Sequence, residues 1–430
     1  MLKTREMLTG NASVAWGVRL AGVDYVPTYS ITPQTEIIET LAKWISDGVM
    51  DAGFVSLDSE HSMIAAAGAA SATGARVFTA TSSQGLLYGF EMLYTVAGWR
   101  VPLVMVNVSR GLSAPITLEP DHNDILAARD SGFLQIHCET CQEVLDSVLL
   151  AYRLAEDERV LLPVFVNMDG FHLSFTREPV EIPGRDAVER FLPPYQPKHA
   201  FFKASQPMAQ GLAVIGGSLY SYFKYQMHLA SIKALDVYHE VSEEFKKIFD
   251  RSYHTTDRFM VEDAEYVLIM TNSFSTLGKA AVEKARKKGI KAGLLRLRLI
   301  RPFPEADLKE ALEGKKAVAV LDQNISVGKG GILYSEIAGT LYHEKNKPLL
   351  LSFIGGLGGK NISPREFEFI FDTMIKSFIL KKTVTPQLLY TEEEWKEMER
   401  LKGIAGKTYD FPNSCSPHHF TAGVTIPSDR

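Results

Sequence analysis

Four short polar stretches each follow a run of strand-forming residues. They are Tyr29-Ser30-Ile31-Thr32-Pro33, Ser59-Glu60-His61-Ser62, Thr81-Ser82-Ser83-Gln84-Gly85 and Ser109-Arg110-Gly111. Together they bring a carboxylate, a guanidinium, several hydroxyls and an amide. Such a set can hold a proton, pair an anionic substrate and bond a heterocycle. Glu60 precedes a small-residue helix expected over 63–73. A carboxylate there stands where strand ends meet helix starts, the edge of an α/β sheet at which ligands bind. Each residue also has a plain structural explanation. A glutamate near a helix start favours the positive end of the helix dipole, Thr32 suits a helix cap, and Arg110 suits a surface salt bridge. Ser83, Gln84 and Gly85 suit any strand-to-helix turn. Four such ends converging on one edge argue for a site.

The elements that must position them alternate. Helix-like segments at 12–21, 35–46, 63–73, 86–97, 125–129 and 142–157 separate strand-like runs at 25–29, 53–57, 76–80, 103–108, 134–137 and 162–167. Ile37, Ile38, Leu41 and Ile45 share one side of the second helix. Strands separated by helices predict a parallel sheet covered on both faces, so the fold class is α/β. A Pro- and Lys-rich stretch over 193–207 reads as a connector, and 211–222 as a surface segment. Residues 236–258 read as a charged helix burying Val237, Val241, Phe245 and Ile248. A second α/β unit follows, with strands at 266–271, 292–298, 317–322 and 349–354 and helices at 276–288 and 305–313. A polar helix over 392–401 and an irregular tail over 408–430 close the chain. The expected division is 1–192, a connector over 193–260, a second domain over 261–385, and a terminal helix and arm over 386–430.

At 430 residues the chain is too long for one ordinary core. Hydrophobic residues make up 46% and charged residues 23%, the usage of a globular protein. The net charge of −5 comes with no basic stripe, which argues against nucleic acid. No apolar run approaches ~20 residues and the N-terminus shows no signal-peptide core, so a cytoplasmic protein without a membrane partner is expected. The 3 cysteines include one C-x-x-C, Cys138 and Cys141, with Cys415 far away. They read as reduced thiols on one helical turn, too few for an iron–sulfur cluster. Asp121-His122-Asn123-Asp124 reads as a loop and helix cap with no catalytic part. Gly328–Gly331 and Gly355–Lys360 lack phosphate-loop spacing and read as close-packed turns. No metal ligands are assigned.

The segments YSITPQTEIIE, DSEHSMIAAAGAASATGARVFTATSSQGL, PLVMVNVSRGLSAP, PDHNDILAARDSGF and NMDGFHLS, followed by LRLRLIRPFP and GGLGGKNIS, carry a resemblance. In this order they resemble the α subunit of pyruvate:ferredoxin oxidoreductase and its 2-oxoacid relatives, across roughly residues 10–371. SEHS and TSSQGL resemble the pyruvate branch. The resemblance implies a pyrimidine-binding domain for thiamine diphosphate, followed by a domain like the transketolase C-terminal domain. Glu60 matches the residue that bonds the aminopyrimidine ring, Arg110 the arginine that meets the oxoacid carboxylate, and Thr32 the threonine that bonds substrate. Tyr29, Ser30, Ile31, Ser83 and Gln84 are the implied cofactor-lining residues. Ser30 departs from the family, which usually has proline there, and Glu119-Pro120 also departs from the common pattern.

The implied enzyme decarboxylates a 2-oxoacid, pyruvate first, and yields acyl-CoA, CO2 and reduced ferredoxin reversibly. A separate β subunit is implied to hold the diphosphate and Mg2+. [4Fe-4S] clusters are implied on β and on ferredoxin-like γ and δ subunits, with coenzyme A as co-substrate. Ser30 and Glu119-Pro120 leave open the same chemistry on an aryl or branched 2-oxoacid such as phenylglyoxylate, and two readings of other kinds stand beside it. One is half of another thiamine enzyme, of the dehydrogenase or transketolase kind; the other is a binding subunit that keeps the fold without the reaction.

Overall fold

The computed structural model describes residues 4–198, 201–383 and 386–405. The tail expected over 408–430, with Cys415, lies outside them. Two compact units emerge. The first comprises the described residues of Met1–Arg258 with Thr271–Thr276 and Arg296–Glu310; the second comprises Phe259–Met270, Leu277–Leu295 and the described residues from Ala311 onward.

In chain order the first unit opens with β1 (Thr4–Thr9), α1 (Gly10–Ala21), β2 (Tyr25–Thr28), α2 (Thr35–Ser46), β3 (Gly53–Ser56) and α3 (Glu60–Ser71). Next come β4 (Phe78–Thr81), α4 (Ser83–Tyr88), α5 (Phe90–Trp99), β5 (Val104–Ser109), α6 (Asn123–Ala127) and β6 (Leu134–His137). Then follow α7 (Cys141–Ala155), β7 (Val164–Asp169), β8 (Arg177–Ile182), α8 (Arg185–Phe191) and α9 (Gly217–Phe249). The later elements are β9 (Thr256–Phe259), β10 (Tyr266–Thr271), α10 (Ser275–Lys287), β11 (Ala292–Leu297), β12 (Leu299–Arg301) and α11 (Glu305–Leu312). The last are β13 (Ala317–Asp322), α12 (Ile332–Leu341), β14 (Leu349–Ile354), α13 (Pro364–Leu380), β15 (Gln387–Leu388) and α14 (Glu392–Ala405).

β5 and β7, VMVNVS and VFVNMD, are buried throughout, as central parallel strands require, and turn polar only toward their carboxyl ends. The sheet order is β12-β6-β7-β5-β4, parallel except where β12 meets β6. A parallel pair, β2 and β3, lies beside β4 through the Tyr25–Val77 bridge and the bond from Thr79 Oγ1 to Pro27 O, 2.8 Å. Because these strands run parallel, the segments after β2, β3, β4 and β5 leave from one edge. Those segments are the four polar stretches.

Helix α7 is buried nearly all round and is crossed closely by α1. A Cβ on Gly17 would stand 2.8 Å from Val148 Cβ, so the crossing needs glycine. The C-terminal half of α9 adds Val237, Val241, Phe245 and Phe249 to the same core at helical spacing.

In the second unit β15, β14, β13, β10 and β11 lie side by side in that order. Asp322, at the end of β13, accepts the N–H groups of Leu333 and Tyr334 at the start of α12 (2.8 and 3.2 Å). A Cβ on Gly331 would stand 1.9 Å from that carboxylate, which explains this glycine as a close-packed turn.

Several sequence expectations shift. Helix α9 starts at Gly217, inside the stretch expected to run loosely over the surface, and ends at Phe249. The helix expected over 86–97 is two helices meeting at Gly89, where a Cβ would stand 2.4 Å from Ile64 Cδ1. The antiparallel pair β1–β8 and helices α8, α12 and α13 add to the elements expected from the sequence. β1 is mostly exposed and polar, so no apolar alternation announces it. Cys138 precedes α7 while Cys141 begins it, so the two thiols do not share a helical turn. Both are buried and free of disulfides, and burial pushes the Cys138 thiol up to about 12.

Candidate active site

Ser59 ends the strand-to-helix turn after β3, and its Oγ accepts the N–H of Ser62 at 3.2 Å. That cap starts α3 at Glu60, three residues before the expected start, and puts a carboxylate in the first turn. Glu60 is only 4% exposed. Beyond its own main-chain N–H, its carboxylate has no hydrogen-bond or ion-pair partner among the described residues. Burial raises its pKa above the ordinary 4.5, opposed by its own main-chain N–H. The room for this side chain comes from Gly85, on which a Cβ would stand 2.4 Å from Glu60 Oε1 and 2.5 Å from Thr81 Oγ1. The Thr81 hydroxyl is buried and also without a partner among the described residues. Gly85 therefore serves Glu60 specifically, beyond the needs of a turn.

Arg110 is 5% exposed and follows β5. Its guanidinium donates Nε–H to Thr32 O (2.9 Å) and Nη1–H to Thr117 O (3.0 Å). No carboxylate pairs with it, and Nη2 has no partner among the described residues. Burial lowers its pKa, with Asp124 opposing; an arginine stays charged regardless. The salt-bridge explanation therefore fails for Arg110.

The loop after β2 is pinned from behind. Gln34 Nε2 donates to Tyr29 O at 2.9 Å and Asn11 Nδ2 to Pro33 O at 3.0 Å. Tyr29, Ser30 and Thr32 are exposed, and Ile31 is half-buried. The Thr32 hydroxyl bonds nothing among the described residues. It does not cap α2, whose N-cap is Gln34. Ser83 is buried with φ of 47°, and its Oγ bonds Gly111 O (2.9 Å) and Gln84 Oε1 (2.8 Å). The structure thus brings Thr32 to Arg110, Gly85 to Glu60 and Ser83 to Gly111.

Behind this edge lies a network the sequence did not announce. Asp124, fully buried, accepts from Ser83 N, Asn107 Nδ2, Ser109 Oγ and Ile125 N. Asn167 Oδ1 accepts from Asn107 and Ser109 in turn. His122 Nε2 lies 2.8 Å from Asp169 Oδ1, and Asp169 also accepts the Ser273 N–H at 2.9 Å. Only Asn123 and Asp121 fit the expected loop and cap, through the bond from Asn123 N to Asp121 Oδ1. The signal that could have found it is the pair of polar residues toward the carboxyl end of each strand, Asn107 and Ser109 in β5 and Asn167 and Asp169 in β7.

Residues 16–246 match the family model described as pyruvate flavodoxin/ferredoxin oxidoreductase, thiamine diphosphate-binding. Residues 264–367 match pyruvate:ferredoxin oxidoreductase core domain II. Pyruvate synthase subunit PorA of Methanothermobacter thermautotrophicus is 41% identical over 365 residues, covering 85% of this chain and 94% of that one. The chain belongs to the α subunits of the 2-oxoacid:ferredoxin oxidoreductases. Ketoisovalerate oxidoreductase subunit VorA of Pyrococcus horikoshii is 39% identical over 397 residues, covering 92% and 98%. A solved 2-oxoglutarate:ferredoxin oxidoreductase from Magnetococcus marinus has the same fold, with TM-score 0.66 at 21% identity, covering 87% of this chain and 66% of that one. A split-gene transketolase overlays with TM-score 0.52 at 11% identity, covering 86% and 98%. This α subunit is thus part of an oxidoreductase, and Glu60, Arg110, Thr32 and Asp124 all fall in its thiamine diphosphate-binding domain. Among the described residues, no helix is long and apolar enough to cross a membrane.

Proposed function

We propose that this α subunit takes the aminopyrimidine end of thiamine diphosphate on Glu60 and the carboxylate of pyruvate on Arg110. The observation that supports the reading is the Glu60 carboxylate, buried, unpaired and given room by Gly85. A carboxylate kept from water and from any protein cation suits a ligand that brings its own donor. The residues present therefore fit the cofactor. Thiamine diphosphate, when bound, supplies a nucleophilic carbon and an electron sink for decarboxylation. Glu60, its proton affinity raised by burial, holds or shares a proton at a ring nitrogen.

Arg110 is poised for substrate. Two of its donors hold it to main-chain carbonyls, and Nη2 remains for an oxoacid carboxylate in a charge-assisted bond. The exposed Thr32 hydroxyl offers a further bond to the substrate, next to the carbonyl that orients Arg110. Tyr29, Ser30, Ile31, Ser83 and Gln84 line the cofactor's ring in this reading. Partner subunits complete the enzyme: β with the diphosphate and Mg2+, and β, γ and δ with [4Fe-4S] clusters that deliver two electrons to ferredoxin. Coenzyme A takes the acyl group, and the reaction runs in either direction.

Pyruvate is the substrate proposed, on the likeness of SEHS and TSSQGL to the pyruvate branch. Ser30, where the family usually has proline, and the comparable identity to a ketoisovalerate enzyme favour a branched or aryl oxoacid as the second reading. Kinetics of the assembled complex on pyruvate, 2-oxoglutarate, 2-oxoisovalerate and phenylglyoxylate with coenzyme A separate the two. Highest kcat/KM on pyruvate is expected. For Glu60, Glu60→Gln should lower kcat roughly 10²–10⁴-fold in a complex that still assembles. Unchanged turnover would reduce this glutamate to a structural residue.

A further inference from the structure

We propose that Asp124 is a positioning residue for the oxoacid: its single carboxylate ties the Arg110 turn to the Ser83 turn and so sets where the guanidinium points. The inference deepens the reading above and rests on Arg110 as the substrate's carboxylate contact.

Asp124 sits in the first turn of α6 with no solvent access. Its Oδ2 accepts the main-chain N–H of Ser83 (3.0 Å), the side-chain amide of Asn107 (3.1 Å) and the main-chain N–H of Arg110 (3.4 Å). Its Oδ1 accepts Ser109 Oγ (3.0 Å) and the N–H of Ile125 (2.7 Å). One bond reaches the turn after β4 and two reach the last residue of β5 and the residue after it. Ser83 Oγ makes a second tie to Gly111 O. The two turns that carry the site are therefore joined twice, once through the Asp124 carboxylate and once through Ser83 Oγ.

The chemistry calls for a carboxylate. Five donors converge on two oxygens, and an ionised Asp is acceptor-only with about four lone-pair directions. An amide of the same size must aim an N–H at one of those donors. Among the described residues no cation is ion-paired with Asp124. Burial, with Asp121 adding repulsion and the bond from Asn107 opposing, pushes it up to about 6. A buried acid held this way is costly to keep for α6 alone, a helix of one and a half turns. Arg110 needs such an anchor, because both its side-chain bonds go to carbonyls on loops, Thr32 and Thr117.

The test uses the chain coexpressed with its partner subunits, and the 2-oxoacid turned over fastest among the four named above. KM, kcat and thermal unfolding are compared for Asp124→Ala, Asp124→Asn, Arg110→Ala and the Arg110→Ala/Asp124→Ala double variant. Asp124→Ala should raise the oxoacid KM about 10-fold or more, with a smaller change in kcat, and Asp124→Asn should raise it less. On the Arg110→Ala background, Asp124→Ala should add less than about 2-fold, because the group it positions is gone. Should the alanine variant not assemble, Asp124→Asn carries the same comparison. A normal oxoacid KM in the Asp124 variants, or full additivity in the double variant, overturns the inference and leaves the Arg110 reading standing. A normal KM in Arg110→Ala removes both.

Discussion

Two regions of the first unit bury charge in opposite ways. Far from the site, Arg76 lays the Nε–Nη2 edge of its guanidinium on both oxygens of Glu156, at 2.6 and 2.7 Å, and bonds Ala21 O and Pro193 O as well. Arg251 does the same with Asp146, at 2.6 and 2.9 Å. Glu143 takes both Arg296 and Arg298. At the sheet edge, Glu60 and Arg110 are as deeply buried, yet among the described residues neither side chain has an opposite charge bonded to it. Buried charges are costly unless paired. Where the chain supplies the pair it is holding its own fold; where it withholds the pair, a ligand is the natural partner.

The comparison can be broken at either end. The largest effect expected is on catalysis: Glu60→Gln lowering kcat roughly 10²–10⁴-fold in the assembled complex, equivalent to about 3–5 kcal/mol of barrier. Arg76→Met should act on stability instead, costing about 3–5 kcal/mol in chemical denaturation by stranding Glu156 in the interior. Should Arg76→Met spare stability, the paired region is not holding the fold as described.

Gly85→Ala tests the room made for the carboxylate. Its Cβ would stand 2.4 Å from Glu60 Oε1, so a penalty of about 1–3 kcal/mol from overpacking is expected. It should show as weaker thiamine diphosphate binding in titrations of the assembled complex. Unaltered affinity would mean that Glu60 does not meet the cofactor.

The smallest effect has the opposite sign from a paired residue. Since burial raises the Glu60 pKa, the ionised carboxylate is less welcome in the folded chain than in the unfolded one. Glu60→Gln should therefore stabilise the cofactor-free complex at neutral pH, by about 0.5–2 kcal/mol, the usual size when a functional strain is relieved. The gain should be full above the raised folded pKa, shrink as pH falls from there to the ordinary 4.5, and vanish below it. Thermal unfolding from pH 8 to pH 4 checks this. A destabilised variant at neutral pH would show that the carboxylate is paired after all.

Much of this was readable beforehand. Apolar runs bounded by polar turns announced β4, β5 and β7. Parallel strands oblige their carboxyl ends to share an edge, so the sequence pattern assigns Glu60 and Arg110 to the same edge. The start of α3 was missed by three residues because Ser59 could equally have been a loop residue; only the Ser62 bond identifies it as the cap. β1 and the first half of α9 were missed because neither shows the burial periodicity on which such reading depends.

The one-dimensional pattern was enough for the α/β class and for the strand ends that Glu60 and Arg110 follow, because periodicity and strand direction are local properties. That Asp124 gathers donors from β5, from the turn after β4 and from its own helix, and that Glu60 and Arg110 have none of each other's charge, depended on distances between segments far apart in the chain. Burial and pairing belong to the packed molecule. A string such as Asp-His-Asn-Asp reads as an ordinary cap until folding decides what surrounds it.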